Sequence, residues 1–342
     1  MSRPIQPLVA FASLAVSGLV AVSGLVAGCG AAPEAGEASV AGPASRPARA
    51  AASPFWVDPD SPAARQIRTW RQQGRDADAE ALRRIAEQPA ALWPAGETDP
   101  GPQIAAAADA ARRADRTLLL AAYNIPHRDC GQHSAGGATD ADAYRDWIER
   151  FAAAIGDTKA LVVLEPDAIA HVISGCTPVE LEPERELLLR EAVTRLKRQP
   201  HTRVYLDAGN PAWIKEPWKL VEPLKRAGVA DADGFALNVA NFQTDAVATA
   251  YGQELSKALG GRHFVIDTSR NGTGPLDGAW CNPPGRSLGT RPTDGTGVRG
   301  LDAYLWIKRP GESDGSCEGG PQAGRWWPEY ALELARGAGS RT

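Results

Sequence analysis

The chain has 342 residues, 43% hydrophobic and 23% charged, the make-up of a soluble globular protein rather than a disordered or fibrous one. A net charge of −4 with no block of lysine or arginine argues against nucleic acid as the partner. The five histidines, His127, His133, His171, His201 and His263, fall in no metal-ligand spacing, and no glycine-rich nucleotide motif follows an apolar run, so no metal and no cofactor is expected.

In chain order, residues 1–29 read as an export signal. An apolar run from Leu8 to Gly28 follows Arg3 and ends in Val26-Ala27-Gly28-Cys29, which looks like a bacterial lipobox with Cys29 as the acylated residue. A retained membrane anchor or an ordinary cleaved signal are the alternatives, because the run is long enough to span a bilayer. Either way the expected location is outside the cell or on its surface, with membrane contact through this segment alone. Residues 30–53 are Ala, Pro, Gly, Ser and Glu with little to bury, a disordered tether. Residues 54–342 are expected to form the folded domain, acting as a monomer.

Within that domain short apolar runs alternate with longer amphipathic ones. Strands are expected at Leu118–Ile125, Ala160–Leu164, Arg203–Leu206, Gly234–Val239, His263–Ile266 and Ala303–Ile307. Helices are expected at Asp140–Ile155, capped by Thr139 or Asp140, and at Glu184–Arg198, Glu216–Ala227, Asp245–Leu259 and Trp326–Arg336. This alternation implies a parallel sheet with helices outside, as an open doubly wound sheet or as a closed or nearly closed barrel.

Acidic residues favour the barrel, since they recur just past the ends of the apolar runs: Asp129, Glu165 with Asp167, Asp207, Asp267, and Glu312 with Asp314. In a parallel barrel such positions share the C-terminal rim, where active sites are built. One such aspartate is usually a helix cap or loop hydrogen bonder; five sets on one rim repel one another, a cost tolerated for function. Ten tryptophans add flat stacking surfaces, although about half belong to a core on general grounds. Clustered carboxylates, tryptophan and no cofactor motif point to glycoside hydrolysis, which needs one protonated carboxyl and a second carboxylate.

Six motifs then carry a resemblance: Tyr123-Asn-Ile-Pro-His-Arg-Asp129-Cys130, Leu164-Glu-Pro-Asp167, Leu206-Asp207-Ala-Gly209, Asp267-Thr-Ser-Arg270-Asn-Gly272, Trp280-Cys281-Asn-Pro and Trp306-Ile-Lys308-Arg-Pro-Gly-Glu312-Ser-Asp314-Gly. In this order they resemble glycoside hydrolase family 6, and they extend over nearly all of the folded part. The resemblance implies an α/β fold, a distorted, incomplete parallel β/α barrel of seven strands (TIM-like), and inverting cleavage of a β-1,4-linked glucan such as cellulose. It makes Asp167 the general acid, places Asp129 beside it, matches Asp314 to the base and presses Tyr123 on the sugar in the reactive subsite. Trp56, Trp213 and Trp280 match stacking platforms; Asp207, Asn241, Lys308 and Glu312 match substrate-binding positions. Arg128 and Arg270 would hold the carboxylates by charge-assisted bonds.

Setting Cys29 aside, the other four cysteines suit two disulfides in an exported protein, with three pairings open from spacing alone. The resemblance selects Cys130 with Cys176 and Cys281 with Cys317. Two departures stand out: Asn210 replaces the usual histidine after Asp207-Ala-Gly209, and Ser316 slightly lengthens the approach to Cys317. The segments inside both expected bridges are short, which suits an open cleft and endo-cleavage. An exo-acting cellobiohydrolase, action on another β-glucan and a non-catalytic tethered glycan-binding lipoprotein are the competing readings.

Overall fold

Among the described residues, six parallel strands lie side by side in chain order, so each connection crosses back from one end of the sheet to the other. They are β1 Leu118–Ala122, β2 Ala160–Leu164, β3 Thr202–Asp207, β4 Gly234–Leu237, β5 His263–Asp267 and β6 Leu301–Leu305. The computed structural model describes residues 53–94 and 98–337; the expected export signal, Cys29 and the tether up to residue 52 lie outside the described residues.

Side-chain alternation divides the sheet into two faces. Leu118, Leu120, Ala122, Val162, Leu164, Val204, Leu206, Phe235, Leu237, Phe264 and Ile266 pack outward into one core with the helices. Leu119, Ala121, Leu161, Val163, Tyr205, Ala236, Val265, Ala303 and Leu305 form a second core with Phe55 and Val239. That inner face is the concave interior of a curled, incomplete barrel. The gap between its first and last strands is stitched by one extended segment. Leu92 exchanges hydrogen bonds with β1, donating to Leu119 O at 3.0 Å and accepting from Ala121 N at 2.8 Å, while the Ala91 amide reaches Trp306 O at 2.9 Å. Six named strands and this single-residue bridge therefore stand where the resemblance implied seven strands.

The outer layer holds α1 Pro62–Gln72, α2 Asp76–Ala86, α3 Gly101–Arg113, α4 Ala141–Ile155, α5 Ala168–Ile173, α6 Glu182–Leu196, α7 Val221–Arg226, α8 Asp245–Ala258 and α9 Pro328–Gly337. Asp140, not Thr139, caps α4 by accepting the Ala143 amide at 2.8 Å. The expected helix over 216–227 splits into a 3-10 turn, Pro217–Leu220, followed by α7. Helices α1, α2 and α9 pack together over Leu288 and Trp306 and form a third core.

Three strands end earlier than their apolar runs, and in each case for a visible reason. The run past Ala122 loses the ladder because the Asn124 and Ile125 amides turn to the Glu165 carboxylate at 3.0 Å. Strand β4 stops before Asn238, whose φ of +65° leaves the extended region. Past Leu305, the Ile307 and Lys308 amides turn to Asp267.

Candidate active site

The strands themselves aim the first carboxylates. Asp207 and Asp267 are the last residues of β3 and β5 and share the parity of Tyr205 and Val265, so both project into the barrel interior at the C-terminal rim. Both are essentially fully buried.

Around Asp207 lies one acidic cluster. Its Oδ2 accepts the Asp167 amide at 2.9 Å and the Gly209 amide at 3.0 Å. Asp167 stands at the N-terminus of α5 with φ of +70°, and Glu165, two residues earlier, has φ of +46°. Strain of this kind in non-glycine residues persists where surrounding bonds over-determine it. Burial, then the charges of Asp207 and Asp129, hold the Asp167 carboxyl well above the usual carboxylate range. Asp207 is pushed up to about 7, mainly by burial, with Asp267 adding to the shift. Burial also raises Asp129, against a bond from the Ser134 amide and the charges of His133 and Arg128. Tyr123 is buried nearby; burial and then the charges of Asp167 and Asp129 raise its phenol.

A second group is built for the opposite charge state. Asp314 pairs with Arg270 Nη1 at 2.8 Å and Lys308 Nζ at 3.3 Å, and it accepts the Asn282 amide at 3.0 Å. Burial alone would raise it, but Arg270, Lys308 and these bonds outweigh burial and hold the carboxyl below its ordinary value. Arg270 is itself fully buried, lies 4.5 Å over the Phe242 ring and donates to Ala240 O at 2.6 Å.

Two rim acids are structural clamps. Asp267 accepts four amides, from Ala240, Ser269, Ile307 and Lys308, at 2.8–3.2 Å, and so ties the ends of β4, β5 and β6 together. Glu165 does the same between β1 and β2, and burial pushes it up to about 7.

The remaining expected site residues divide. Trp56 and Trp213 are half-buried against the helical core, and Trp280 is 47% exposed beside His133, with ring centroids 5.8 Å apart. Trp213 meets His171 edge-on at 5.2 Å. Asn210, the departure from the family pattern, accepts the Ala212 and Trp213 amides at 3.0 and 3.2 Å, so its side chain shapes the turn that carries Trp213. Of the ten tryptophans, Trp70, Trp147 and Trp306 are buried in the core.

One expectation needs correction, and two other expected residues have protein partners of their own. Arg128 was expected to hold a carboxylate, but it donates to the carbonyls of Tyr123, Ser134 and Ala135 and lies 4.6 Å over the Tyr123 ring. It acts on Asp129 only through its charge. Glu312, expected among the substrate-binding positions, is largely buried and paired with Arg309 at 2.8 Å. Asn241 directs its oxygen to its own loop, accepting from the Phe242 amide and the Gln243 side chain.

Both disulfides have formed with the expected pairing, Cys130 with Cys176 and Cys281 with Cys317. The first anchors the Asp129 loop to the chain just after α5. The second anchors the loop bearing Trp280 and Asn282 to the one bearing Asp314. Cys130, His171 and Cys176 lie within metal-binding reach of one another, but with both sulfurs in a disulfide no thiolate is available.

Sequence reasoning missed Arg185, buried on α6, which donates to the carbonyls of Pro126 and His127 and so fixes the loop between Tyr123 and Asp129. It sits inside an ordinary helical pattern and carries no local signal. Asn282 was also missed as a partner of Asp314, although the Trp280-Cys281-Asn-Pro motif contains it.

The sequence model for glycosyl hydrolases family 6 matches residues 50–338. Endoglucanase A of Cellulomonas fimi is 44% identical over 289 residues, which cover 84% of this chain and 62% of that protein. The chain thus spans less than two thirds of that relative's length. Endoglucanase 1 of Streptomyces halstedii is 44% identical over 294 residues, covering 83% of this chain and 88% of the relative. Among solved structures, the endoglucanase Cel6 of Mycobacterium tuberculosis, bound to methyl-cellobiosyl-4-deoxy-4-thio-β-D-cellobioside, superimposes with a TM-score of 0.79 at 42% identity, covering 85% of this chain and 99% of that one.

Proposed function

The chain belongs to glycosyl hydrolases family 6, and from that premise we propose that it hydrolyses internal β-1,4-glucosidic bonds of a cellulose-like glucan with inversion. The observation that carries this is the opposed state of two carboxyls on one rim. Burial and like charges favour the protonated form of Asp167, whereas Arg270 and Lys308 favour the ionised form of Asp314. Two carboxyls pushed apart in this way suit an acid and its anionic counterpart.

Asp167 then donates its proton to the glycosidic oxygen as the C1–O bond breaks, and water attacks C1 from the opposite face. The proton lost by that water passes to Asp314, directly or through further water, while the anion stabilises the positive charge developing at the sugar. Arg270 and Asn282 occupy one oxygen of Asp314, which leaves the oxygen facing Lys308 for this role. Tyr123, held by Arg128 over its ring, presses on the reacting sugar. Trp56, Trp213 and Trp280 stack neighbouring glucose units.

The short segments inside the bridges, with sequence separations of 46 and 36, support an open cleft and internal cleavage, as do the relatives' names. Two disulfides suit an oxidising compartment. Export by the N-terminal signal, acylation of Cys29 and a monomeric state complete the proposal.

The test is the anomer released from cello-oligosaccharides, followed by NMR with Asp167→Ala as control. Fresh α-anomer, lost in the variant, is the expected result; β-anomer would refute inversion, and no turnover would refute the activity.

A further inference from the structure

Beside the site, a groove of about 460 Å³ runs between α1 and the loops that follow β6. Arg65 and Gln66 on α1 form one wall, and Arg309, Glu312, Arg325 and Trp326 form the other. Three guanidinium groups thus border it against one carboxylate. The carboxylate is Glu312, already paired with Arg309, and Arg65 shares the exposed Asp60 outside the lining. Arg309 Nε is shielded from solvent and has no hydrogen-bond partner among the described residues. Trp326 is fixed in place: its indole N–H donates to Gln66 at 3.3 Å, and a Cβ on Gly311, at φ of +93°, would meet its ring at 2.6 Å. Arg309 directly follows Lys308, and Glu312 lies two residues before Asp314, so the groove is continuous in the chain with the anionic half of the site.

We propose that this groove binds an anionic, carboxylate-bearing sugar unit or substituent on the glucan that extends out of the catalytic cleft. Planar guanidinium groups match a carboxylate in two parallel bonds, and an indole gives the sugar a flat apolar neighbour. Arg309 and Arg65 already have carboxylate partners, so a neutral glucan would leave Arg325, which has no ion pair among the described residues, without an anionic one. The enzyme would therefore favour acidic or acid-substituted β-glucan over neutral glucan of the same backbone. The inference rests on the family 6 reading for its substrate backbone and goes beyond it in charge preference.

The experiment compares the intact protein with an Arg65→Gln/Arg325→Gln double variant, both positions being exposed. Retardation in gels containing carboxymethyl cellulose or neutral hydroxyethyl cellulose reads binding, and initial rates on both polymers read turnover. The expected result is about three- to tenfold weaker retention and higher KM on the carboxymethyl polymer alone, with the difference shrinking in added salt. Equal effects on both polymers, or none on either, would overturn the proposal. Arginine-dependent retention without turnover on either polymer would uphold this inference and overturn the hydrolytic reading instead.

Discussion

The backbone amide of Asp167 donates a 2.9 Å hydrogen bond to Oδ2 of Asp207, so the residue that holds Asp167 in place also lends it a neighbouring negative charge. Position and proton affinity are linked through one side chain. Asp207→Asn keeps an acceptor for the amide but removes the charge. Asp207 itself ionises near 7, so its effect on Asp167 grows above that pH. In the variant Asp167 loses its proton more readily. The alkaline limb of the kcat–pH profile is expected to move to lower pH while the acid limb stays in place. An unmoved alkaline limb would show that Asp207 acts by position alone.

The acid assignment of Asp167 makes a separate demand on the leaving group. Breaking a bond to a sugar hydroxyl needs protonation, whereas a dinitrophenolate departs without it. Asp167→Ala is expected to lower kcat on cellotetraose by about 10²–10⁴-fold. Its loss on a dinitrophenyl cello-oligosaccharide is expected to be at least ten times smaller. Equal losses on the two substrates would assign Asp167 to positioning.

Much of this arrangement was legible because strand periodicity and chemistry coincide. Strand β2 is found at Ala160–Leu164 as read, and the alternation that buries Tyr205 and Val265 inside also delivers Asp207 and Asp267 to the rim. What the pattern could not supply was the partner of each carboxylate. Asp207 and Asp267 look alike in sequence, yet Asp267 spends its lone pairs on four backbone amides. Arg128 sits in a family motif, but whether its guanidinium meets a carboxylate or carbonyls depends on the turn at 128–136, which only the fold defines. Helix α3 was missed because its run of alanines gives little contrast between faces, and α5 because six residues are too few to display a period. Helix α1 was missed as well, although Ser61, followed by Pro62, caps it by accepting the Ala64 amide.

Burial of Glu165 should leave a signature in stability. Its folded-state pKa is raised from 4.5 to about 7. Between those values the folded protein holds a proton that the unfolded chain has lost. The contribution is therefore fully present below about 4.5 and is lost as pH rises through about 7. Glu165→Gln keeps an acceptor for the Asn124 and Ile125 amides and removes this titration. The wild-type free energy of unfolding, read from urea titrations, is expected to fall between pH 5 and 8, by on the order of 2 kcal/mol from Glu165. The variant should show a shallower slope, with the other raised carboxyls, Asp207, Asp167, Asp129 and Asp267, supplying what remains. A slope unchanged by the substitution would mean that Glu165 is ionised in the folded state.

The two disulfides should differ in what their loss does to the reaction. With sequence separations of 46 and 36, loop-closure entropy assigns each a similar stabilisation, about 4 kcal/mol. Cys130–Cys176 holds a loop in which Asp129 and Cys130 both have positive φ, at +54° and +48°, beside the proposed acid. Without the bridge nothing covalent opposes relaxation of that strain, and the charge of Asp129 can move away from Asp167. Cys281–Cys317 instead braces the loops that join Asn282 to Asp314, and Asp314 keeps its bonds to Arg270 and Lys308 without it. Paired Cys→Ser variants are therefore expected to unfold at similarly reduced urea concentrations. Under folding conditions, Cys130→Ser/Cys176→Ser should shift the alkaline limb of the rate profile to lower pH. Cys281→Ser/Cys317→Ser should lower kcat without moving that limb. Identical pH profiles for the two variants would show that the first bridge supports the fold and has no bearing on the proton affinity of Asp167.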